Sequence, residues 1–171
     1  MTSERIDFQA LYRRGVARVW RVVRRLGVAP SELEDAVQDV FIVAHRRLGT
    51  LRPEVAPEAW LTGIAVRVAR DYRRRRVRKP SAEEPSPRLV SDASAPDELA
   101  ERRDALEIAL RLLDQLPDEQ RAVFVLAEFE QHSAPEIAEM TSTGVNTVYS
   151  RLRLARARFD ELVSQLESAD E

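Results

Sequence analysis

Residues 133–159 read SAPEIAEMTSTGVNTVYSRLRLARARF, and the way this stretch divides decides the fold. Ser133 followed three positions later by Glu136 is a capping-box pattern, which opens a short helix over APEIAEM. The small residues TSTG then make a tight turn before a long final helix, and short helix, turn, long helix is the order of a helix-turn-helix. At 100° per residue, Val148, Leu152, Ala155, Phe159, Leu162 and Leu166 fall within about 80° of arc and must face a core. The opposite side carries Asn146, Ser150 and Arg153, with Tyr149 and Arg156 on one flank and Arg151 and Arg158 on the other. Asn146, Thr147, Tyr149, Ser150, Arg151, Arg153 and Arg156 are therefore candidate DNA contacts, near the amino-terminal turns where a recognition helix meets base edges. A capped helix pair also serves as a plain packing unit, so the motif alone implies no more than a DNA-binding module.

Upstream, DELAERRDALEIALRLLDQLP (97–117) places Leu99, Leu106, Leu110, Leu113 and Leu116 on a helix that Pro117 stops. Val123, Phe124, Leu126 and Phe129 mark another helix over roughly 118–130. Residues 97–171 thus read as a four-helix domain. Before it, residues 80–96, PSAEEPSPRLVSDASAP, hold four prolines, four serines and no aromatic anchor, the composition of a linker. Residues 1–79 form a first domain. Phe8, Leu11, Tyr12, Val16, Val19, Val23 and Leu26 recur at helical spacing, and Gly27 and Pro30 end that helix. Ser31 with Glu34 predicts a second capping box, opening a helix with Leu33, Val37, Val40, Phe41 and Ala44 that runs to about Leu48. Pro57 opens a third helix whose inward stripe is Leu61, Ile64, Ala65, Val68 and Tyr72. The fold expected is all-α, two small helical domains joined by a Pro/Ser-rich acidic linker.

Composition agrees. With 44% hydrophobic residues, 33% charged and only 5 glycines in 171 residues, the chain can bury a core and reads as mostly helical. Without cysteine it has neither a disulfide frame nor a thiolate metal site, and His45 and His132 are poor material for a metal centre, so no metal or cofactor is expected. The start, MTSERIDF, lacks a leader pattern, and no apolar run approaches the ~20 residues that cross a bilayer, so the chain is expected in the cytoplasm without membrane insertion. No nucleophile with a base, phosphate loop or catalytic carboxylate pair stands at a useful spacing, which argues against an enzyme.

The net charge of −2 hides a division. Residues 1–79 carry 18 basic and 9 acidic side chains, net +9, whereas residues 80–108 carry net −5 and residues 109–171 net −6. RVARDYRRRRVRK, Arg67 to Lys79, concentrates eight basic residues against one acidic. Such density repels itself and becomes favourable when it displaces counterions from a phosphate backbone, so Arg67, Arg70, Arg73 and Arg74 are candidate DNA contacts. A solvated basic face is the plainer reading; a membrane-surface patch lacks the apolar stripe it needs. Trp20 and Trp60 are stacking platforms for unpaired bases or, at this spacing, core residues. Glu32, Glu34, Asp35 and Asp39 form an acidic helix side, either solvated or a docking surface for a basic partner.

Taken together, these blocks resemble the extracytoplasmic-function (ECF) sigma factors of bacterial RNA polymerase from about Phe8 to Val163. DAVQDVFIVAHRRL (35–48) is similar to the helix that docks on the polymerase clamp, which implies Asp35, Gln38, Asp39 and Phe41 as polymerase contacts. AWLTGIAVRVARDYRRRR (59–76) is similar to the stretch that reads and opens the minus-ten element, and the loop from Gly49 to Ala56 to the family's pocket for a flipped base. Leu113 to Phe159 resembles the domain that grips the polymerase flap and reads the minus-thirty-five element. The resemblance implies core polymerase, duplex and melted promoter DNA, and an anti-sigma factor as partners. The chain departs from the family pattern at Val66 and Arg67 and at the turn Thr141–Gly144, and also where Val145 and Tyr149 replace more polar residues. An ordinary helix-turn-helix regulator with an amino-terminal partner-binding domain, or a sigma-like decoy that cannot open DNA, are the alternatives.

Overall fold

The computed structural model describes residues 7–52, 54–78 and 97–169, all of them helix, turn or short connection. Among the described residues seven α-helices follow in order: α1 (Phe8–Arg25), α2 (Leu33–Arg47), α3 (Pro57–Arg78), α4 (Asp97–Asp114), α5 (Asp118–Phe124), α6 (Ala134–Thr141) and α7 (Val145–Ala169). The chain divides into two compact units, one built on α1–α3 and the other on α4–α7. The expected linker, 80–96, lies outside the described residues, as do residues 1–6, 79 and 170–171.

In the first unit α1, α2 and α3 all pack against one another. Asp7 caps α1 by accepting from the Gln9 amide at 3.0 Å, satisfying one of the four amides a helix start leaves unpaired. At the other end Gly27 takes φ 87°, the left-handed conformation that costs a glycine least. Its amide donates to Arg24 O and that of Val28 to Val23 O, which closes the helix in a Schellman motif. Val22, Val23, Val40, Ala44 and Ala65 are fully or almost fully buried at the centre. Gly15 makes the α1–α3 approach possible: a Cβ there would stand 2.5 Å from Leu61 Cδ2. The Ser31–Glu34 capping box does not form. Pro30–Glu32 is already a 3₁₀ turn capped at Ala29, so Ser31 lies inside helical backbone rather than before it.

In the second unit α5 and α4 pack on α7. Leu113, Val123, Leu126 and Val148 are buried, and Phe124 stacks on Phe159 with ring centroids 4.8 Å apart. The helix expected over 118–130 is continuous but changes pitch, passing from α5 into a π turn at Val125–Phe129. Two stops here use left-handed residues other than glycine: Gln131 at φ 59° after the π turn and Ser142 at φ 55° after α6. Around Ser142 the Thr143 amide donates to Ala138 O and the Ser142 amide to Glu139 O, the same Schellman closure as at Gly27. This is the tight turn of the helix-turn-helix. Of the Ser133–Glu136 box the Glu136 arm forms, its Oε2 accepting from the Ser133 amide at 2.7 Å, while Ser133 Oγ donates to the same carboxylate oxygen at 2.6 Å.

Three inward stripes are narrower than expected. Tyr12 on α1, Leu106 on α4 and Leu166 on α7 are exposed.

Candidate nucleic-acid and polymerase interfaces

The basic run folds as the carboxy-terminal half of α3. Leu61, Ile64, Ala65 and Tyr72 are buried, Val68 is half-buried, and the same periodicity leaves Arg67, Arg70 and Arg74 exposed. Arg75 lies over the Tyr72 ring at 5.3 Å, a cation–π contact. Arg73, expected on the DNA face, is half-buried and its Nη1 donates to Leu26 O at 2.8 Å. That carbonyl belongs to the end of α1, where the helix dipole favours a cation, so Arg73 ties α3 to α1.

On α2, Asp35 and Gln38 are exposed and Asp39 is half-buried. The Tyr72 hydroxyl donates to Asp39 Oδ2 at 2.8 Å, joining the acidic helix to the basic one. Burial, with the Asp39 carboxylate alongside, pushes the Tyr72 phenol up to about 12. Phe41, expected as a polymerase contact, is 5% exposed and packs edge-on against Phe8 and Tyr12. It is a core residue that reaches the surface only at the floor of a groove of about 890 Å³ between α1 and α2. Phe8, Tyr12, Trp20, Val37, Gln38 and Ile42 line that groove, which the sequence reading did not find. Its signal was Tyr12 and Ile42, apolar residues at the edges of their stripes. Trp20 sits in the groove wall with the Arg24 guanidinium over its ring at 5.4 Å, and Trp60 is half-buried near the start of α3.

Between α2 and α3, Leu48–Thr50 form a 3₁₀ turn that Thr50 Oγ1 closes by donating to Arg47 O at 2.7 Å. Gly49, Thr50, Arg52, Glu54 and Ala56 are exposed, while Pro53 of this loop lies outside the described residues.

α7 presents Asn146, Thr147, Tyr149, Ser150 and Arg153 to solvent. Arg151 and Arg156 are engaged: Arg151 pairs with Glu119 of α5, and Arg156 with Glu128 of the π turn through Nη2 at 2.6 Å and Nε at 2.8 Å. The helical wheel could not show this, because both carboxylates lie about thirty residues upstream. Arg121, which sequence reasoning also missed, is buried to 2% and pairs with Asp114 at the end of α4, while its Nε finds no partner. A single arginine after LPDEQ gives no sequence signal of burial.

Among the described residues, no helix is long and apolar enough to cross a membrane. The family described as Sigma-70 region 2 matches residues 11–79, and that described as Sigma-70, region 4 matches residues 106–159. Over 98% of its length the chain is 32% identical to the ECF RNA polymerase sigma factor SigM of Mycobacterium tuberculosis, covering 83% of that protein. It is 30% identical to the ECF RNA polymerase sigma-E factor of Escherichia coli over 81% of the chain and 78% of the relative. Among solved structures, CnrH in complex with the cytosolic domain of CnrY matches with TM-score 0.68 and 26% identity, covering 92% of this chain and 88% of that one. The sigma factor RpoE of Bartonella quintana, in complex with the anti-sigma factor NepR, matches with TM-score 0.75 and 21% identity over 92% of this chain and 97% of its own. Two sigma regions in this order, on two helical units, with relatives matched along nearly the whole chain, place the protein in a family: it belongs to the ECF sigma factors of RNA polymerase.

Proposed function

We propose that this sigma factor divides promoter recognition between its two units. Residues 1–79 dock on core polymerase through Asp35, Gln38 and Asp39 of α2 and hold the minus-ten element with Arg67, Arg70 and Arg74 of α3. Residues 97–171 read the minus-thirty-five element with the exposed face of α7, Asn146 to Arg153, and 80–96 joins them. The observation that carries the reading is that the first unit bears both surfaces: an acidic α2 face, tied to α3 by the Tyr72–Asp39 hydrogen bond, and three exposed arginines on the outer face of α3. A polymerase contact and a phosphate contact carried on two helices tied in this way let binding to one position the other. The protein catalyses no reaction itself and works in the cytoplasm with the polymerase. RpoE of Bartonella quintana, which shares the fold, was solved with the anti-sigma factor NepR, which supports such a partner for this chain.

Run-off transcription with purified core polymerase on genomic fragments tests the function. Start sites that appear only when the protein is added are expected. Asp35→Lys should reduce co-elution with core enzyme while leaving helicity intact, whereas binding to DNA but never to core enzyme would sink the division proposed here.

A further inference from the structure

Four arginines stand on α7 between Arg151 and Arg158, and carboxylates of the same unit already engage three. Arg151 pairs with Glu119, Arg156 with Glu128, and Arg158 with Glu161 one turn further at 2.6 Å. Arg153 makes no ion pair among the described residues. Glu161 is a local neighbour on the helix, but Glu119 and Glu128 reach α7 only because α5 and the π turn pack against it. A guanidinium fork matches carboxylate and phosphate oxygens alike, so these two glutamates occupy positions a DNA phosphate would take.

The glutamates are exposed, Glu119 71% and Glu128 37% accessible, as is Arg156 at 56%, whereas Arg151 is half-buried at 23%. Water competes for the carboxylate of each pair, so each bond is weak and exchangeable. Exchange does not remove the carboxylate. A displaced Glu119 or Glu128 remains beside the incoming phosphate, within a Debye length, and repels it.

We propose that Glu119 and Glu128 set the DNA affinity of the sigma factor by standing in for backbone phosphates on Arg151 and Arg156. The proposal rests on the reading of α7 as the minus-thirty-five reader. The cost falls on phosphate contacts, which any sequence offers, and leaves base-edge contacts untouched. Specific and non-specific complexes lose the same factor, so discrimination is preserved while the free protein is kept off bulk DNA. Engagement then depends on the additional contacts of the polymerase complex. The net −6 of residues 109–171 acts in the same direction.

The test is binding of the full-length protein to a scrambled-sequence duplex and to a promoter duplex across a salt series. Glu119→Gln with Glu128→Gln should bind both duplexes roughly three- to tenfold more tightly at low salt. Its salt slope should steepen by up to roughly 0.9 for each arginine released. Glu107→Gln with Glu139→Gln removes the same charge from exposed sites and should gain much less; an equal gain there means net charge alone is at work and overturns the proposal. Arg151→Ala with Arg156→Ala separates the remaining outcomes. If the arginine variant weakens binding and the Glu119/Glu128 variant does not strengthen it, the glutamates support the arginines and the proposal fails while the DNA-reading role of α7 stands. If neither variant changes binding, the DNA-reading role fails and the proposal with it. Should the double glutamine variant lose helicity, Glu128→Gln alone carries the test.

Discussion

α3 and α7 each turn a row of arginines outward, yet only α3 leaves them bare. Arg67, Arg70 and Arg74 are exposed and make no ion pair among the described residues, whereas three of the four arginines on α7 are matched by carboxylates. The number of cations on a helix therefore does not measure the charge it offers to DNA; the tertiary neighbours decide. The supports beneath the two helices differ as well. α3 is tied by Tyr72 to Asp39 and by Arg73 to a backbone carbonyl, both near its surface end. α5, which carries a countercharge to α7, is anchored by the buried Arg121 and its bond to Asp114.

The largest effect should come from that buried charge. Asp114→Ala leaves the Arg121 guanidinium inside the second unit without its carboxylate, and should cost about 3 kcal/mol in urea unfolding of the full chain. The figure is at the low end for a broken buried pair because Asp114 itself is 66% exposed. Arg121→Met, which replaces the charge by a side chain of similar volume, should cost clearly less. Equal losses for the two variants would mean that Arg121 acts by packing, and the contrast between the two supports would vanish.

Next is the α7 arginine that has no carboxylate partner among the described residues. Arg153 lies opposite the buried Val148, Leu152 and Ala155, and a bidentate contact to a base edge is worth about 1–3 kcal/mol of discrimination. Arg153→Ala in holoenzyme should reduce initiation on an intact promoter, and mutant and parent should become nearly equal once the upstream element is scrambled. Proportional loss on both templates would assign Arg153 to phosphate or polymerase.

The bare and matched rows can also be compared directly. In holoenzyme, Arg70→Ala with Arg74→Ala should flatten the salt slope by roughly 0.9 per arginine on duplex or about 0.7 on single strands, alike on different promoters. Arg151→Ala with Arg156→Ala should flatten it less, since those charges are already partly neutralised. If the two pairs prove equal, the glutamates have no effect on available charge.

Much of this was legible in the sequence because helices announce themselves by period. The helices of the described residues, the Glu136 cap on Ser133 and the exposed arginine face of α3 follow from spacing alone, since an exposed helix face needs only its own residues. What spacing could not show depended on neighbours far along the chain. Arg73 shares the basic run with Arg70 and Arg74, but only the position of the α1 carboxy terminus gives it a bond to Leu26 O. Arg151 and Arg156 stand on the flanks of α7, where contact with α5 and the π turn begins, and a wheel drawn for one helix cannot show who stands beside it. Ser31–Glu34 matched a capping box in letters, but Pro30 had already started a 3₁₀ turn and moved the helix boundary. Phe41 was a polymerase contact by family resemblance and an inward residue by period, and its burial agrees with the period.

The smallest expected effect tests the tie between the two faces of the first unit. Tyr72 donates to Asp39 while protonated, and its phenol is pushed up to about 12 from 10.0 by burial and by that carboxylate. A group whose folded pKa is raised contributes stability that is fully present below its unfolded value and is lost as pH rises through the folded one. The contribution of Tyr72 should therefore be constant below about pH 10 and decline between about 10 and 12. Tyr72→Phe keeps the ring in the core and removes only the hydroxyl, so near neutral pH it should cost about 1 kcal/mol, the net worth of one hydrogen bond. In the alkaline window the parent should lose that advantage and the two unfolding curves converge, while tyrosinate absorbance present in the parent and missing from Tyr72→Phe reports the titration of Tyr72. Because the bond orients Asp39, the variant should also bind core polymerase slightly less well at neutral pH, and Asp39→Asn should reproduce that loss without adding to it. Additive losses in the double variant would mean that Tyr72 and Asp39 act separately, leaving α3 and α2 coupled only through their apolar contacts.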